Sequence, residues 1–207
     1  MAYVLGFFAA DGNLIRNKRG SCYVSLEICD KDIVENIRKV MGSNHKIGMR
    51  FDKKSGKPRY RLQIGSKEIF KDLHKLGFTE NKTFNMSVPQ VPPEFFWDFV
   101  RGYFDGDGNI WSGLMHKERL VPTHALLTGF TSSSLVFLES LAQTFKTMGL
   151  EGGSLHNYKT YHRLSYSTRD SLKIYNYMYN GEYYKFLHLS RKREVYERFI
   201  ANSNLRL

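Results

Sequence analysis

The chain has 207 residues, 42% of them hydrophobic and 14% aromatic, which is the composition of an ordered globular protein with a sizeable core rather than of a disordered one. A net charge of +11 and an isoelectric point near 9.6 call for a polyanionic partner. With neither a long apolar run nor a lipidation motif, nucleic acid is favoured over an anionic membrane. The two cysteines and seven histidines show no zinc-ligand spacing, which argues against a zinc or histidine nuclease site.

Met1 to Ala10 reads as a helix, followed by a polar basic connector from Asn13 to Gly20 that carries Arg16, Lys18 and Arg19. Cys22, Val24, Leu26 and Ile28 alternate with polar residues, the pattern of a half-buried strand in which Cys22 is a buried free thiol. Asp30 is placed to cap a helix with apolar positions Ile33, Val34, Ile37, Val40 and Met41, ending at Gly42. Two strands follow, in which Ile47, Met49 and Phe51, then Tyr60, Leu62 and Ile64, alternate with Lys46, Arg50, Arg59, Arg61 and Gln63. The turn between them carries Lys57. This hairpin has one apolar and one positively charged face, denser in charge than edge-strand protection requires. Ser66 caps a helix through Ile69, Phe70, Leu73 and Leu76 that stops at Gly77. A proline-rich stretch through Pro89, Pro92 and Pro93 leads into the next helix, with Pro93 in its first turn.

The second half repeats this order. A longer connector, Trp111 to His124, holds Lys117 and Arg119. A strand at residues 126–130, a helix capped near Ser133, and a second basic hairpin at residues 154–158 and 161–167 follow, with Lys159 and Arg163. Helices from Arg169 and from Arg191 close the chain.

The organising feature is a stretch that occurs twice, residues 4–12 (VLGFFAADG) and 100–108 (VRGYFDGDG), each followed by Asn and an apolar residue. Each copy places small residues four apart, Gly6 and Ala10, then Gly102 and Gly106, so two such helices can pack backbone to backbone. Packed about a twofold axis, they bring Asp11 and Asp107 together at their C-terminal ends. The helix dipole and mutual repulsion both disfavour that arrangement without a cation. Carboxylate and carbonyl oxygens suit Mg²⁺. The plain alternative for one copy is an Asp-Gly turn after a core helix; the repetition argues against it.

These paired stretches resemble the signature of the LAGLIDADG homing endonucleases in their monomeric, two-motif form, the second copy more closely than the first, which has Ala9 where the pattern carries an acid. Relatives of this kind usually carry residues ahead of the first motif. The resemblance implies an α/β (α+β) fold of two αββαββα halves packed through the motif helices, with antiparallel sheets forming a DNA-binding saddle. The expected division is 1–88, a linker at 89–98, and 99–207. It implies a staggered double-strand cut in a long target, with Asp11 and Asp107 as metal ligands assisted by the Ala10 and Gly106 carbonyls. Mg²⁺ is the implied cofactor, with Mn²⁺ or Ca²⁺ able to occupy the site.

Lys82 stands where intein-type relatives carry a catalytic lysine, and Lys192 is its counterpart, with a solvated basic helix end as the alternative. Gln63 is a further candidate for positioning water or phosphate, and its counterpart Ser165 differs in chemistry. Arg50, Arg59, Arg61 and Arg163 are expected to meet bases or phosphates, and Lys46, Lys57, Lys117, Arg119 and Lys159 phosphates. The partner is double-stranded DNA, with host intron RNA as a further one, and the location is the intracellular compartment holding the host DNA. A non-cleaving DNA-binding regulator and an RNA-splicing maturase are the competing readings; retention of both acids and the absence of an added helix-turn-helix weigh against the regulator.

Overall fold

Both repeated stretches are helical. In the computed structural model, which describes residues 1–80, 86–180 and 186–203, the first copy is α1 (Ala2–Asp11) and the second is α4 (Phe96–Asp107). Pro93 lies in a 3-10 turn, Pro93–Phe95, that feeds α4. The aspartates are the last residues of the two helices, and Gly12 and Gly108 turn the backbone into extended conformation.

Between α1 and α4 run β1 (Gly12–Arg16), β2 (Cys22–Ile28), α2 (Lys31–Val40), β3 (Ile47–Phe51), β4 (Pro58–Gly65) and α3 (Lys67–Lys75). After α4 come β5 (Gly108–Met115), β6 (Thr123–Ser132), α5 (Leu135–Thr147), β7 (Ser154–Asn157), β8 (His162–Tyr166), α6 (Thr168–Tyr179) and α7 (Ser190–Asn202). The strands form two antiparallel four-stranded sheets of identical order, β1-β2-β4-β3 and β5-β6-β8-β7.

The alternating pattern decides which face of each sheet is covered. Val24, Leu26, Leu62 and Ile64 of the first sheet, and Leu126, Phe130, Leu164 and Tyr166 of the second, are buried against the helices. Phe104 of α4 meets Phe130 edge-on at 5.9 Å between ring centres, which fastens the motif helix to its own sheet. Ser66 and Ser134 accept the backbone N–H groups of Ile69 and Phe137 at 3.2 and 3.3 Å, capping α3 and α5. Buried Tyr196 shares a 2.7 Å hydrogen bond with Thr128 and so pins α7 to β6. Among the described residues no helix is long and apolar enough to cross a membrane.

Several expectations are corrected. The connectors after each motif are strands: Asn13–Arg16 belongs to β1, and Trp111–Met115 to β5, which forms a long hairpin with β6. The five residues of β1 hold one buried side chain, Leu14, so pairing with β2 rather than its own pattern makes it a strand. Met49 and Phe51 alternate as foreseen yet are 58% and 62% exposed, on β3, the edge strand of its sheet. Asp30 occupies the N-cap of α2 without capping it by side chain; its carboxylate takes the Arg191 guanidinium at 3.1 Å. The cap of α5 is Ser134, one residue later than expected. Cys22 is half-buried, not buried.

Candidate active site

The seam between α1 and α4 is reciprocal. A Cβ on Gly6 would sit 2.8 Å from the Phe99 carbonyl carbon and 2.9 Å from the Tyr103 nitrogen. A Cβ on Gly102 would sit 2.9 Å from the Tyr3 carbonyl carbon and 2.8 Å from the Phe7 nitrogen. These are matched positions of the two copies, so the contact obeys an internal twofold axis, and only hydrogen side chains allow it. One turn further along, a Cβ on Gly106 would overlap Ala10 and lie 3.1 Å from Oδ2 of Asp11. The carboxylate of Asp11 thus rests against the residue that precedes Asp107.

Both carboxylates act on the same neighbours. Tyr103, buried beneath them and hydrogen-bonded to the Thr131 carbonyl at 2.7 Å, has its hydroxyl pKa raised by burial first, then by Asp107 and by Asp11. Asp11 is partly buried and Asp107 is exposed. Two helix C-termini with two carboxylates concentrate negative potential at one point. The oxygens gathered here are hard donors: two carboxylates plus the helix-end carbonyls of Ala10 and Gly106. Among the described residues no three His, Cys, Asp or Glu side chains cluster. This donor set fits a hard divalent cation completed by water or phosphate oxygens rather than zinc.

Lys192, on α7, lies at the end of α4 and is not solvated: it is 6% exposed. Its ammonium donates to the carbonyls of Phe104, Asp105 and Gly108 at 2.6, 2.8 and 2.6 Å, and reaches that of Gly106 at 3.4 Å. The Phe104 carbonyl also accepts the Gly108 N–H, and the lysine adds its donors to the carbonyls that close α4, capping the helix and offsetting the dipole beside Asp107. Burial is the main cause that brings its pKa down to about 8, against the opposing pull of Asp105, Asp11 and Asp107. The solvated-helix-end alternative is thereby set aside. Lys82 lies outside the described residues.

Asp105 was absent from the sequence-based site. It is fully buried, accepts the Tyr3 hydroxyl at 2.7 Å and the Leu189 N–H at 2.9 Å on Oδ2, and leaves Oδ1 without a hydrogen bond. Burial raises its pKa to about 6, opposed by the Tyr3 bond and by Lys192 and Arg101. Arg101, also buried, donates to the carbonyls of Met178 and Leu187 at 2.7 and 3.0 Å and pairs with Asp98. The corresponding residues of α1 are Leu5 and Ala9, so this ionic underpinning belongs to the second half alone. The signal that could have found it is a charged pair four apart, Arg101 and Asp105, inside an apolar motif.

The uncovered sheet faces carry polar rungs. In the first sheet Asn13, Ser25 and Gln63 lie side by side, placing half-buried Gln63 in the rung that follows Asp11. In the second the rung is Asn109, Gly129 and Ser165. Next outward come Glu27 and Arg61, then Arg59 and Arg50. Arg50 is held by Glu27 through bonds of 2.6 and 3.0 Å. Arg163 packs its guanidinium against Gly129, with no hydrogen bond at Nε. Arg16 pairs with Glu80 at 3.7 Å and lies over the Phe70 ring. Lys18 and Arg19 occupy the β1–β2 turn, Lys46 and Lys57 flank the β3–β4 hairpin, Lys117 and Arg119 the β5–β6 turn, and Lys159 the β7–β8 turn; all are exposed.

No protein-family profile matches the chain. An uncharacterized protein of Methanocaldococcus jannaschii, MJ0398, is 29% identical over 185 residues, 84% of this chain; the chain spans 63% of that relative's length. Solved structures match throughout. I-SmaMI, bound to uncleaved DNA target in the presence of calcium ions, aligns with a TM-score of 0.61 at 16% identity, covering 98% of this chain and 92% of its own. The LAGLIDADG homing endonuclease I-LtrWI, bound to target DNA, gives 0.60 at 14% over 98% and 89%. The LAGLIDADG meganuclease I-AabMI, bound to uncleaved DNA, gives 0.61 at 12% over 98% and 89%.

Proposed function

We propose that this chain, whose fold is that of the LAGLIDADG homing endonucleases, is a site-specific DNA endonuclease that makes a staggered double-strand break in a long duplex. The observation that supports it most is the meeting of Asp11 and Asp107 at the ends of twofold-related helices, flanked by two sheets with polar, cationic faces. One chain carries both carboxylates, so a monomer completes the site.

Asp11 and Asp107, with the Ala10 and Gly106 carbonyls, would hold the divalent cation, Mg²⁺ being the first choice. Bound there, it supplies Lewis-acid polarisation of the scissile phosphate and lowers the pKa of its water. The two sheets bind the duplex on either side and set the scissile phosphates over the helix ends. A two-stranded ribbon fits the major groove, so β3–β4 and β7–β8 are the readers. Lys192 keeps the end of α4 intact and places positive charge next to Asp107. Gln63 and Ser165 face the duplex from the inner rungs and orient water or phosphate oxygens, unequally, because an amide and a hydroxyl differ in reach. The cationic turns meet phosphates and confer salt sensitivity.

The test uses the DNA obtained by joining the sequences that flank the element encoding this chain. With Mg²⁺, the wild type is expected to linearise a plasmid carrying it. Asp11→Asn and Asp107→Asn are each expected to reduce that cut by at least about 100-fold. Tight, salt-sensitive binding without cleavage in Mg²⁺ or Mn²⁺ would overturn the nuclease assignment in favour of a DNA- or RNA-binding protein of the same fold.

A further inference from the structure

The two sheets share one backbone plan, so their side chains are compared by strand register rather than by sequence. Leu62 opposite Leu26 corresponds to Leu164 opposite Phe130. Counting outward, Arg61 corresponds to Arg163, Glu27 to Thr131, and Arg59 to Tyr161. Gly48 faces Arg61 as His156 faces Arg163, which makes Tyr158 the counterpart of Arg50. The inner arginine is kept in both halves. The outer three positions are an Arg-Glu-Arg cluster in one and Tyr-Thr-Tyr in the other.

In the first sheet, Glu27 holds Arg50 in a two-pronged pair, 2.6 Å to Nη2 and 3.0 Å to Nε, and Arg59 Nε stands 3.0 Å from the same carboxylate. The Arg59 contact is an ion pair without hydrogen-bond alignment at a buried Nε, and the side chain is 34% exposed beyond it. Glu27 is well covered, with 18% side-chain exposure against 58% for Arg50. Its hydrogen bond from Arg50 keeps its pKa below the ordinary carboxylate range, so the cluster is ionised at neutral pH. A carboxylate on a face meant for a polyanion is repulsive unless it serves a purpose. Fixing an arginine by one edge leaves its other edge pre-aimed, and arginine is the side chain that grips the O6 and N7 atoms of guanine in parallel. A carboxylate beside it accepts from the cytosine amino group of that pair. In the second sheet Tyr158 and Tyr161 are stacked, ring centres 4.6 Å apart at 18°, and uncharged. Aromatic faces and edges favour the thymine methyl over a guanine acceptor pair.

Resting on the endonuclease reading above, we infer that Glu27 is a specificity-determining residue that sets Arg50 and Arg59 to read a G·C pair. The target is accordingly divided: the outer part of the half-site under the first sheet depends on guanine, and the matching position under the second sheet, read by Tyr158 and Tyr161, is T·A.

The experiment selects duplexes from a randomised library with the whole protein, wild type and variants, and sequences the bound pool; cleavage of the same pool in Mg²⁺ is scored in parallel. The wild type is expected to enrich a motif with G·C at a fixed position of one half and T·A at its counterpart. Glu27→Gln keeps its thermal midpoint, binds unrelated DNA more tightly, and loses about tenfold of preference at that G·C position alone. Arg50→Lys keeps the charge and the salt dependence but loses the same preference. Tyr158→Ala changes only the other half. A wild-type motif lacking that G·C, or a Glu27→Gln motif with undiminished G·C weight, overturns the inference and leaves the endonuclease reading standing. A wild type that neither enriches a motif nor cuts overturns both.

Discussion

At the scale of single residues, Asp105 and Lys192 are buried at the second motif, and the position of Asp105 is Ala9 in the first. Lys192 adds donors at the end of α4, so Lys192→Met removes three short hydrogen bonds, to the carbonyls of Phe104, Asp105 and Gly108, from a largely buried site. A stability loss of about 2–4 kcal/mol is expected in denaturant unfolding. Asp105 gives a pH signature. Its pKa of about 6 lies above that of an unfolded chain, so between the ordinary carboxylate value and pH 6 the native state retains a proton that the unfolded state has lost. Stability therefore falls as pH rises through that window, by about 2–3 kcal/mol for this group. Asp105→Asn, which keeps acceptors for Tyr3 and Leu189, is expected to flatten that decline in thermal midpoints measured between pH 4 and pH 7. An unchanged slope would show that Asp105 is ionised throughout.

At the scale of elements, the seam has no slack. Gly102→Ala puts a methyl group into the backbone of α1, and Gly6→Ala does the same to α4. Each is expected to cost about 3 kcal/mol or more, because whole helices rather than flexible side-chain ends must move. Equilibrium unfolding of the two variants should give similar losses, since the contacts are twofold equivalents. This packing was legible in the sequence through the repeated small-residue spacing, as were α2 and α3 through their three-to-four periodicity. The strands β1 and β5 were not, because an edge strand with few buried positions takes its form from its neighbour. Asp11 and Asp107 were legible because they recur in phase. Asp105 was not singled out, and Lys192 was left between a site residue and a solvated helix end, because their partners lie far away along the chain: Tyr3 and Leu189 for Asp105, the end of α4 for Lys192. The Glu27 cluster was hidden for the same reason, since strand register alone brings residues 27, 50 and 59 together.

At the scale of the whole molecule, +11 of net charge is distributed so that every hairpin turn of the two sheets carries lysine or arginine. Binding to duplex DNA is expected to weaken by about 10³-fold or more between 50 and 200 mM salt, as it does when six or more phosphates are neutralised. A titration showing less than a tenfold change would mean that the turns do not touch the backbone. The reciprocal seam has a further consequence, for how such a protein changes over generations. Two repeats of one plan are free to differ wherever each faces only its own surroundings, as the outer sheet positions do, arginine in one half and tyrosine in the other. Gly6 and Gly102 have no such freedom, because each is constrained by the opposite copy's main chain, which no side-chain change can redraw. On the endonuclease function proposed above, either sheet can take on new target letters by itself while the seam that carries Asp11 and Asp107 stays as it was.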